Sequence, residues 1–150
     1  MKKTLAKFIY KVAPPQIALA HCDIPCGIYT PDEAIIASKT VIKMVEKLQD
    51  LIPPKNMDNK QETLEFLSSV ARFTITKEEH AEKCKKELLI LWTDFFKEEH
   101  LEIFPDLHNI FWKAVKLCSK AKREVSLEAA KQLEQKVNEI AKIFHKTNDK

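Results

Sequence analysis

The scarcity of glycine is the feature of this sequence that most narrows the choice of fold. Only one glycine, Gly27, occurs in 150 residues, whereas Lys, Glu, Leu and Ala are abundant. These four residue types have high helix propensity. The hydrophobic fraction of 45% is sufficient for a substantial core, and the length fits one domain. The composition therefore predicts a single all-α domain.

Helix-boundary signals place the first helix at residues 31–51. Thr30 offers an N-cap, Pro31 suits the first helical position, and Glu33 stands where a capping box needs it. Pro53-Pro54 ends the helix. The apolar residues that recur on one face are Ile35, Val41, Ile42, Val45 and Leu48.

The rest of the chain reads as further amphipathic helices. A second helical region starts near Asn59; residues 73–76 are locally strand-like, and β-branched residues lower helix propensity by only tenths of a kcal/mol each. Helices are also expected over 105–121 and 126–146, after a link at 98–104. Their predicted inward residues are Leu107, Ile110, Phe111, Ala114, Val115, Cys118, Leu133, Val137, Ile140 and Phe144. Four such helices with short links predict an antiparallel four-helix bundle.

The stretch from His21 to Tyr29 concentrates the chemistry of the chain. It holds His21, Cys22 and Cys26 within six residues, followed by Gly27. Thiolates are strong ligands for soft and borderline metals, and imidazole suits nickel, copper and zinc. The Cys-x3-Cys spacing by itself leaves open a metal-binding hook, a redox pair, a local disulfide or a loop with two free thiols.

The segment before His21 suggests how a metal site at residues 21–29, which we call the hook, would gain a further ligand. Residues 1–20 end in Ala18-Leu19-Ala20, small residues that flank an expected cleavage point. Cutting after Ala20 would make His21 the N-terminus. Its free α-amine would then join the imidazole, the Cys22 thiolate and the Cys22 backbone nitrogen as possible ligands.

The net positive charge of the chain comes from residues 1–20, which we call the leader. The formal net charge is +3, and residues 1–20 contain four lysines and no acidic residue. Without them, 21 basic residues face 22 acidic ones, a net charge of −1. Nucleic-acid binding therefore loses its main support. No apolar run reaches the roughly 18–20 residues that span a bilayer, so no membrane partner is expected.

The hook sequence HCDIPCGIY, followed by Pro31, resembles the mature N-terminus of nickel superoxide dismutases, whose pattern is H-C-D-x-P-C-G-x-Y-x-P. The resemblance continues in LWTDFFK at 91–97, PDLH at 105–108 and IAKIFHKT near the C-terminus. It therefore covers residues 21–150. The resemblance implies one long second helix, which we expect over 59–97, and the strand-like residues 73–76 would allow a bend there. The predicted helices together form a bundle over 31–146.

The resemblance also implies the chemistry of the hook, residues 21–29. One nickel ion per subunit would be bound by the His21 amine, the Cys22 amide nitrogen and the thiolates of Cys22 and Cys26, with the His21 imidazole axial in the trivalent state. The implied activity is antioxidant: superoxide is converted to dioxygen and hydrogen peroxide while nickel cycles between Ni(II) and Ni(III). A planar set of two nitrogens and two sulfurs also suits copper(II).

Further roles follow from the same resemblance. Asp23 would order the hook, Tyr29 would hold water or substrate through its hydroxyl, and Lys97 would attract the superoxide anion. The family assembly is a homohexamer. The chain departs from the family at Phe95, where relatives can carry Tyr, at His80, where some carry Arg, and in the loop at 50–60.

The leader is expected to be a cytoplasmic propeptide that a maturation protease removes after Ala20, leaving residues 21–150 as the dismutase domain. A secretory signal is the rival reading, but Lys7, Lys11 and Pro14-Pro15 leave no uninterrupted apolar segment of 7–15 residues. An amphipathic membrane-surface helix over 2–12 is a further alternative.

Two other functions remain open from the sequence. A nickel or copper carrier would use the same hook without turnover, and a helical interaction protein would use its cysteines structurally. Cys84 and Cys118 are expected to be core thiols. The remaining histidines are expected to be surface or interface groups: His80, His100, His108 and His145. The Lys/Glu-rich run at 77–87 is read as a solvated helix face.

Overall fold

The computed structural model describes residues 27–148, and within that range the chain contains helices and no strand. None of these helices is long and apolar enough to cross a membrane. The elements are α1 (Asp32–Gln49), α2 (Lys60–Ile90), a π-helical turn (Leu91–Phe95), α3 (Glu98–Ile103), α4 (Leu107–Arg123) and α5 (Leu127–Asn148). The all-α prediction is confirmed.

The four long helices form an antiparallel bundle. α1 and α4 lie on opposite sides of the bundle, and each packs against both α2 and α5. The start of α1 meets the later half of α2 through an ion pair between Glu33 and Lys83. The end of α1 meets the earlier half, where the Lys47 ammonium lies 5.2 Å from the ring centre of Phe73. The predicted four-helix bundle is confirmed.

The core follows the predicted apolar stripes closely in α4 and α5 and less closely in α1. Leu133, Val137 and Ile140 of α5 are fully or almost fully buried. In α1 the predicted Ile35 and Ile42 are only half-buried. The fully buried residues of α1 are Ala34, Ala37, Ser38, Val41 and Val45. Small side chains occupy this inner row because they let neighbouring helices approach closely.

The start of α1 lies one residue later than predicted: Pro31 is the N-cap and carries no side-chain cap. The Thr30 hydroxyl accepts a hydrogen bond from the backbone N–H of Asp32 at 3.2 Å just before the helix, and Glu33 pairs with Lys83 instead of closing the predicted capping box. The Asn59 side chain accepts a bond from the backbone N–H of Glu62 at 3.4 Å. α2 then stays α-helical through residues 73–76, so packing overrides the β-branched residues there.

The end of α2 differs from the prediction. The helix widens into a π-helical turn, which ends before Phe96. The backbone of Phe96 is extended (φ −76°, ψ 135°). The predicted end at residue 97 is therefore wrong by two residues. The expected link at 98–104 is also wrong, because residues 98–103 form the short helix α3. Its start is capped by a ring nitrogen of His100, which accepts the Lys97 backbone N–H at 3.0 Å.

The lysine-rich run at 77–87 is not uniformly solvated. Lys77 is 1% exposed, and its ammonium donates to the carbonyl oxygens of Ala121 at 3.0 Å and Glu124 at 3.2 Å, and also to that of Lys122. These carbonyls lie at the C-terminus of α4, where backbone acceptors lack helical partners and a positive charge is favourable. Burial lowers the pKa of Lys77, and the charge of Glu78 opposes that shift.

Candidate metal centre

The predicted nickel ligands His21, Cys22 and Cys26 lie outside the described residues, as does Asp23. Of the hook, the structure describes only Gly27, Ile28 and Tyr29, which connect residue 26 to the start of α1. We call these three residues the base of the hook. The predicted roles of the four hook residues stay predictions.

Gly27 is the first residue of this base and has an unusual backbone conformation. Its φ is +62°, the left-handed region that side chains of L-residues rarely adopt. A Cβ atom added there would meet no atom of the described residues, 27–148, within 4 Å. The backbone angle by itself favours glycine at this position, because L side chains disfavour the left-handed region.

Tyr29 packs on an aromatic cluster at one end of the bundle. Its ring centre lies 5.5 Å from that of Phe95 in a tilted arrangement. Phe95 in turn contacts Phe144 of α5 at 4.4 Å and Phe96 at 4.9 Å. The structure thus brings Tyr29 against the segment 91–97, more than 60 positions away in the sequence, so that two separate motifs meet at one place.

The π-helical turn sets the directions of the phenylalanines in this cluster. A π turn adds a residue to the helical repeat, and such turns occur often at functional sites. Phe96 is 9% exposed and also contacts Phe111 of α4 at 5.4 Å, while Phe95 is half-buried and faces Tyr29. The turn therefore supplies one ring to the core and one to the base of the hook.

His100 belongs to the same cluster, although the sequence reading placed it among isolated surface groups. Its ring stacks on Phe95 at 5.8 Å and meets Phe96 edge-on at 5.6 Å. Because Nδ1 accepts the Lys97 N–H, the neutral ring carries its proton on Nε2. Two features signal this role in the sequence: the spacing of three residues between Lys97 and His100, and a helix start directly after Lys97.

Lys97 lies at the edge of this cluster with its side chain exposed. No ion pair within residues 27–148 engages its ammonium. Three exposed acidic residues stand close to it in sequence: Asp94, Glu98 and Glu99. Lys97 is therefore a single positive charge in an otherwise acidic segment beside the base of the hook.

The histidines of α2 and α4 form one local hydrogen bond and one between separate elements. His108 Nδ1 accepts the Trp92 indole N–H at 2.8 Å, and His80 Nδ1 lies 2.9 Å from the carbonyl oxygen of Thr76. Within the part of the chain that the structure describes, no three His, Cys, Asp or Glu side chains converge to hold a metal ion.

Cys84 and Cys118 are core thiols, as predicted. They are 0% and 1% exposed, and each is a free thiol. The neighbouring Cys118 thiol, together with burial, raises the pKa of the Cys84 thiol. Because both side chains are buried away from solvent, and buried structural cysteines are unreactive, both groups are expected to be inert in the folded protein.

The burial of Cys84 and Cys118 predicts that the four cysteines fall into two classes of reactivity. In the metal-free chain beginning at His21, an aromatic disulfide reagent is expected to titrate Cys22 and Cys26 quickly and the two core thiols only after unfolding in urea. The measurement is the number of aromatic thiolate equivalents that the reagent releases per chain before and after the addition of urea. Fast reaction of all four thiols in the folded chain would contradict the buried placement of Cys84 and Cys118.

Three comparisons place the chain among known proteins. The family model for nickel-containing superoxide dismutase matches residues 16–148. The protein "Superoxide dismutase [Ni]" of Streptomyces seoulensis is 36% identical over 135 residues, which cover 90% of this chain and 93% of the relative. Its namesake from Streptomyces coelicolor is 33% identical over the same shares.

Solved structures agree with these matches. A crystal structure of nickel-containing superoxide dismutase, in a state after partial X-ray-induced reduction, superimposes with a TM-score of 0.71 at 33% identity. The superimposed region includes 100% of that solved chain and 87% of this chain. Fold, family model and relatives lead to one conclusion: the chain belongs to the family of nickel-containing superoxide dismutases.

Proposed function

We propose that this chain, cut after Ala20, converts superoxide to dioxygen and hydrogen peroxide at one nickel ion per subunit. The observation that carries the proposal is the family match over residues 16–148, which includes the whole hook with His21, Cys22 and Cys26 in the family pattern. In the overall reaction, two superoxide anions and two protons give one dioxygen and one hydrogen peroxide.

The donor set of the hook fits nickel. Two thiolates, one imidazole and the nitrogens at a free N-terminus are the soft and borderline donors that select this metal over hard cations. His21, Cys22 and Cys26 would hold the ion. When bound, nickel supplies the one-electron Ni(II)/Ni(III) couple that each half of the reaction requires.

The chain's own residues would organise the space around the hook. Tyr29 is held against Phe95 and is proposed to bind water or superoxide through its hydroxyl. Asp23 is proposed to order the hook backbone. Gly27 allows the left-handed backbone conformation directly after Cys26. The aromatic cluster beneath Tyr29 would exclude bulk water from one side of the hook.

The test is superoxide dismutation by the chain beginning at His21 after loading with nickel. We expect activity with about one nickel per chain, and loss of both nickel and activity in Cys26→Ser, since the hook then lacks a thiolate. Cys118→Ala, which removes a core thiol instead, is the matched control and should retain activity. Stoichiometric nickel without turnover would overturn the enzyme proposal in favour of the carrier.

Lys97→Glu is expected to lower kcat/KM for superoxide about threefold to tenfold at low ionic strength, because a cation near the site attracts the substrate anion. The difference from the unmodified enzyme should shrink at high salt, which screens exposed charges. The measurement is kcat/KM against ionic strength. Lys131→Glu, an exposed change at the start of α5, is the control. Equal rates at every salt concentration would remove Lys97 from the mechanism.

The proposal includes maturation, assembly and location. A protease would cut after Ala20, and the mature chains would form a homohexamer in the cytoplasm. Exposed large apolar side chains support assembly, among them Ile28 in the base of the hook and Trp112 on α4. The mass of the mature assembly in solution tests the hexamer.

A further inference from the structure

A groove lies between α3 and the last turn of α5, and we call it the α3 groove. Its volume is about 650 Å³, within the range of roughly 300–1,000 Å³ that is typical of binding sites. The apolar part of its lining consists of Ile103 and Phe104. Ile103 is 53% exposed and Phe104 is half-buried, so the groove offers apolar surface to an occupant.

The surroundings of the α3 groove are acidic. Glu99 and Glu102 line the groove itself. The segment 94–106 holds five exposed acidic residues: Asp94, Glu98, Glu99, Glu102 and Asp106. Within residues 27–148, no lysine or arginine forms an ion pair with any of these five. The segment has one lysine, Lys97, and the lining adds Lys146 from α5, so the region is net negative.

The leader has the complementary properties. It contains four lysines and no acidic residue. Its apolar residues Leu5, Phe8, Ile9 and Val12 fall at positions i, i+3, i+4 and i+7, the spacing by which an amphipathic helix anchors in an apolar groove. On such a helix, Lys2 and Lys11 flank the apolar stripe on its two sides, at about 60° and about 120° from Leu5.

The leader is joined to the chain close to the α3 groove. Tyr29 in the base of the hook packs on Phe95 at 5.5 Å, and His100, which lines the groove, stacks on the same ring at 5.8 Å. Residues 13–26 separate the apolar stripe of the leader from Gly27, and a chain of that length can span up to about 46 Å. A short tether gives an effective concentration of about 1 mM, so a weak contact is sufficient for occupancy.

We propose that the uncut leader occupies the α3 groove of its own chain. Its apolar stripe would contact Ile103 and Phe104, and its lysines would lie beside Glu99 and Glu102. The leader would then have a second role besides blocking the His21 amine, because it covers an apolar and acidic surface near the base of the hook until it is removed. The inference does not depend on nickel binding or catalysis.

The first test is cross-linking of the metal-free chain of residues 1–150 with a carbodiimide, which joins an ammonium group to a carboxylate only where the two are in contact. We expect links from Lys2 and Lys11 to Glu99 and Glu102, identified by mass spectrometry. The links should decrease at high salt, which screens exposed charges. In a mixture of isotope-labelled and unlabelled chains, each link should join two peptides of the same chain.

The second test is the rate at which trypsin cuts the same chain after Lys7 and Lys11. If the effective concentration is about ten times the dissociation constant, docking slows these cuts about tenfold. The double variant Glu99→Gln with Glu102→Gln should therefore be cut about fivefold faster than the unmodified chain, because it weakens the contact without adding a cleavage site. Ile103→Asn should also be cut faster, since it removes apolar contact.

The matched control is the double variant Glu62→Gln with Glu65→Gln. It removes two exposed acidic groups at the same spacing near the opposite end of α2 and should leave the cutting rate unchanged. Circular dichroism verifies that each variant is folded.

Equal cutting rates in all these chains would overturn the inference, as would links from the leader lysines only to acidic residues outside 94–106. Links from Glu99 and Glu102 to Lys150 would assign the groove to the C-terminus instead, and links between labelled and unlabelled chains would assign it to a second copy. Either result would also overturn the inference. Because no readout uses nickel or superoxide, failure here is distinguishable from failure of the proposed function.

Discussion

A nickel-loaded chain that keeps Ala20 in front of His21 is expected to dismutate superoxide at least about 100-fold more slowly than the chain beginning at His21. Loss of a group that only orients a metal ligand costs up to about 100-fold, and here a ligand itself is lost. The amine that the proposed site requires is then locked in a peptide bond, whose nitrogen carries no basic lone pair. The imidazole and both thiolates remain, so the change isolates one donor.

The comparison needs two forms of otherwise identical sequence, each assayed for nickel content and for superoxide decay. A protease that removes the leader should restore activity to the longer form, which controls for misfolding during preparation. Equal activity per bound nickel in both forms would eliminate the amine from the ligand set while leaving the thiolates in place. Bound nickel without activity in either form would favour the carrier.

Lys77→Met is expected to lower the free energy of unfolding by about 3 kcal/mol, since a buried, charged hydrogen-bond donor is lost. Methionine fills similar space, but the carbonyls of Ala121, Lys122 and Glu124 lose their shared donor. Urea unfolding measures the change. Lys86→Met, at an exposed site on the same helix, should stay within about 0.5 kcal/mol of the unmodified chain.

The same lysine should affect the pH dependence of stability. Burial lowers the pKa of Lys77 from its ordinary value of 10.5, so the unfolded chain keeps this proton to higher pH than the folded chain. The free energy of unfolding of the unmodified protein should therefore rise, relative to that of Lys77→Met, as pH increases from the lowered pKa toward 10.5. Equal stability of both proteins at every pH would mean that the three hydrogen bonds only compensate the cost of burial.

The sequence by itself determined the fold class and the chemistry of the hook. Glycine is nearly absent, apolar residues recur at helical spacing, and prolines and caps mark the helix ends, so local preferences and the global fold agree. Each of these signals acts within a few residues. The donor types in the hook are likewise adjacent in the chain, so their combination is visible before any folding is considered.

Only the tertiary structure decided which separated residues meet. Lys77 looks like its solvated neighbours until α4 is known to end beside it. His100 looks isolated until the π-helical turn places Phe95 and Phe96 against its ring. Tyr29 reaches Phe95 only because α1 and α2 pack antiparallel. Burial and long-range contact depend on where a helix ends and how it packs, and local sequence preferences do not encode these quantities.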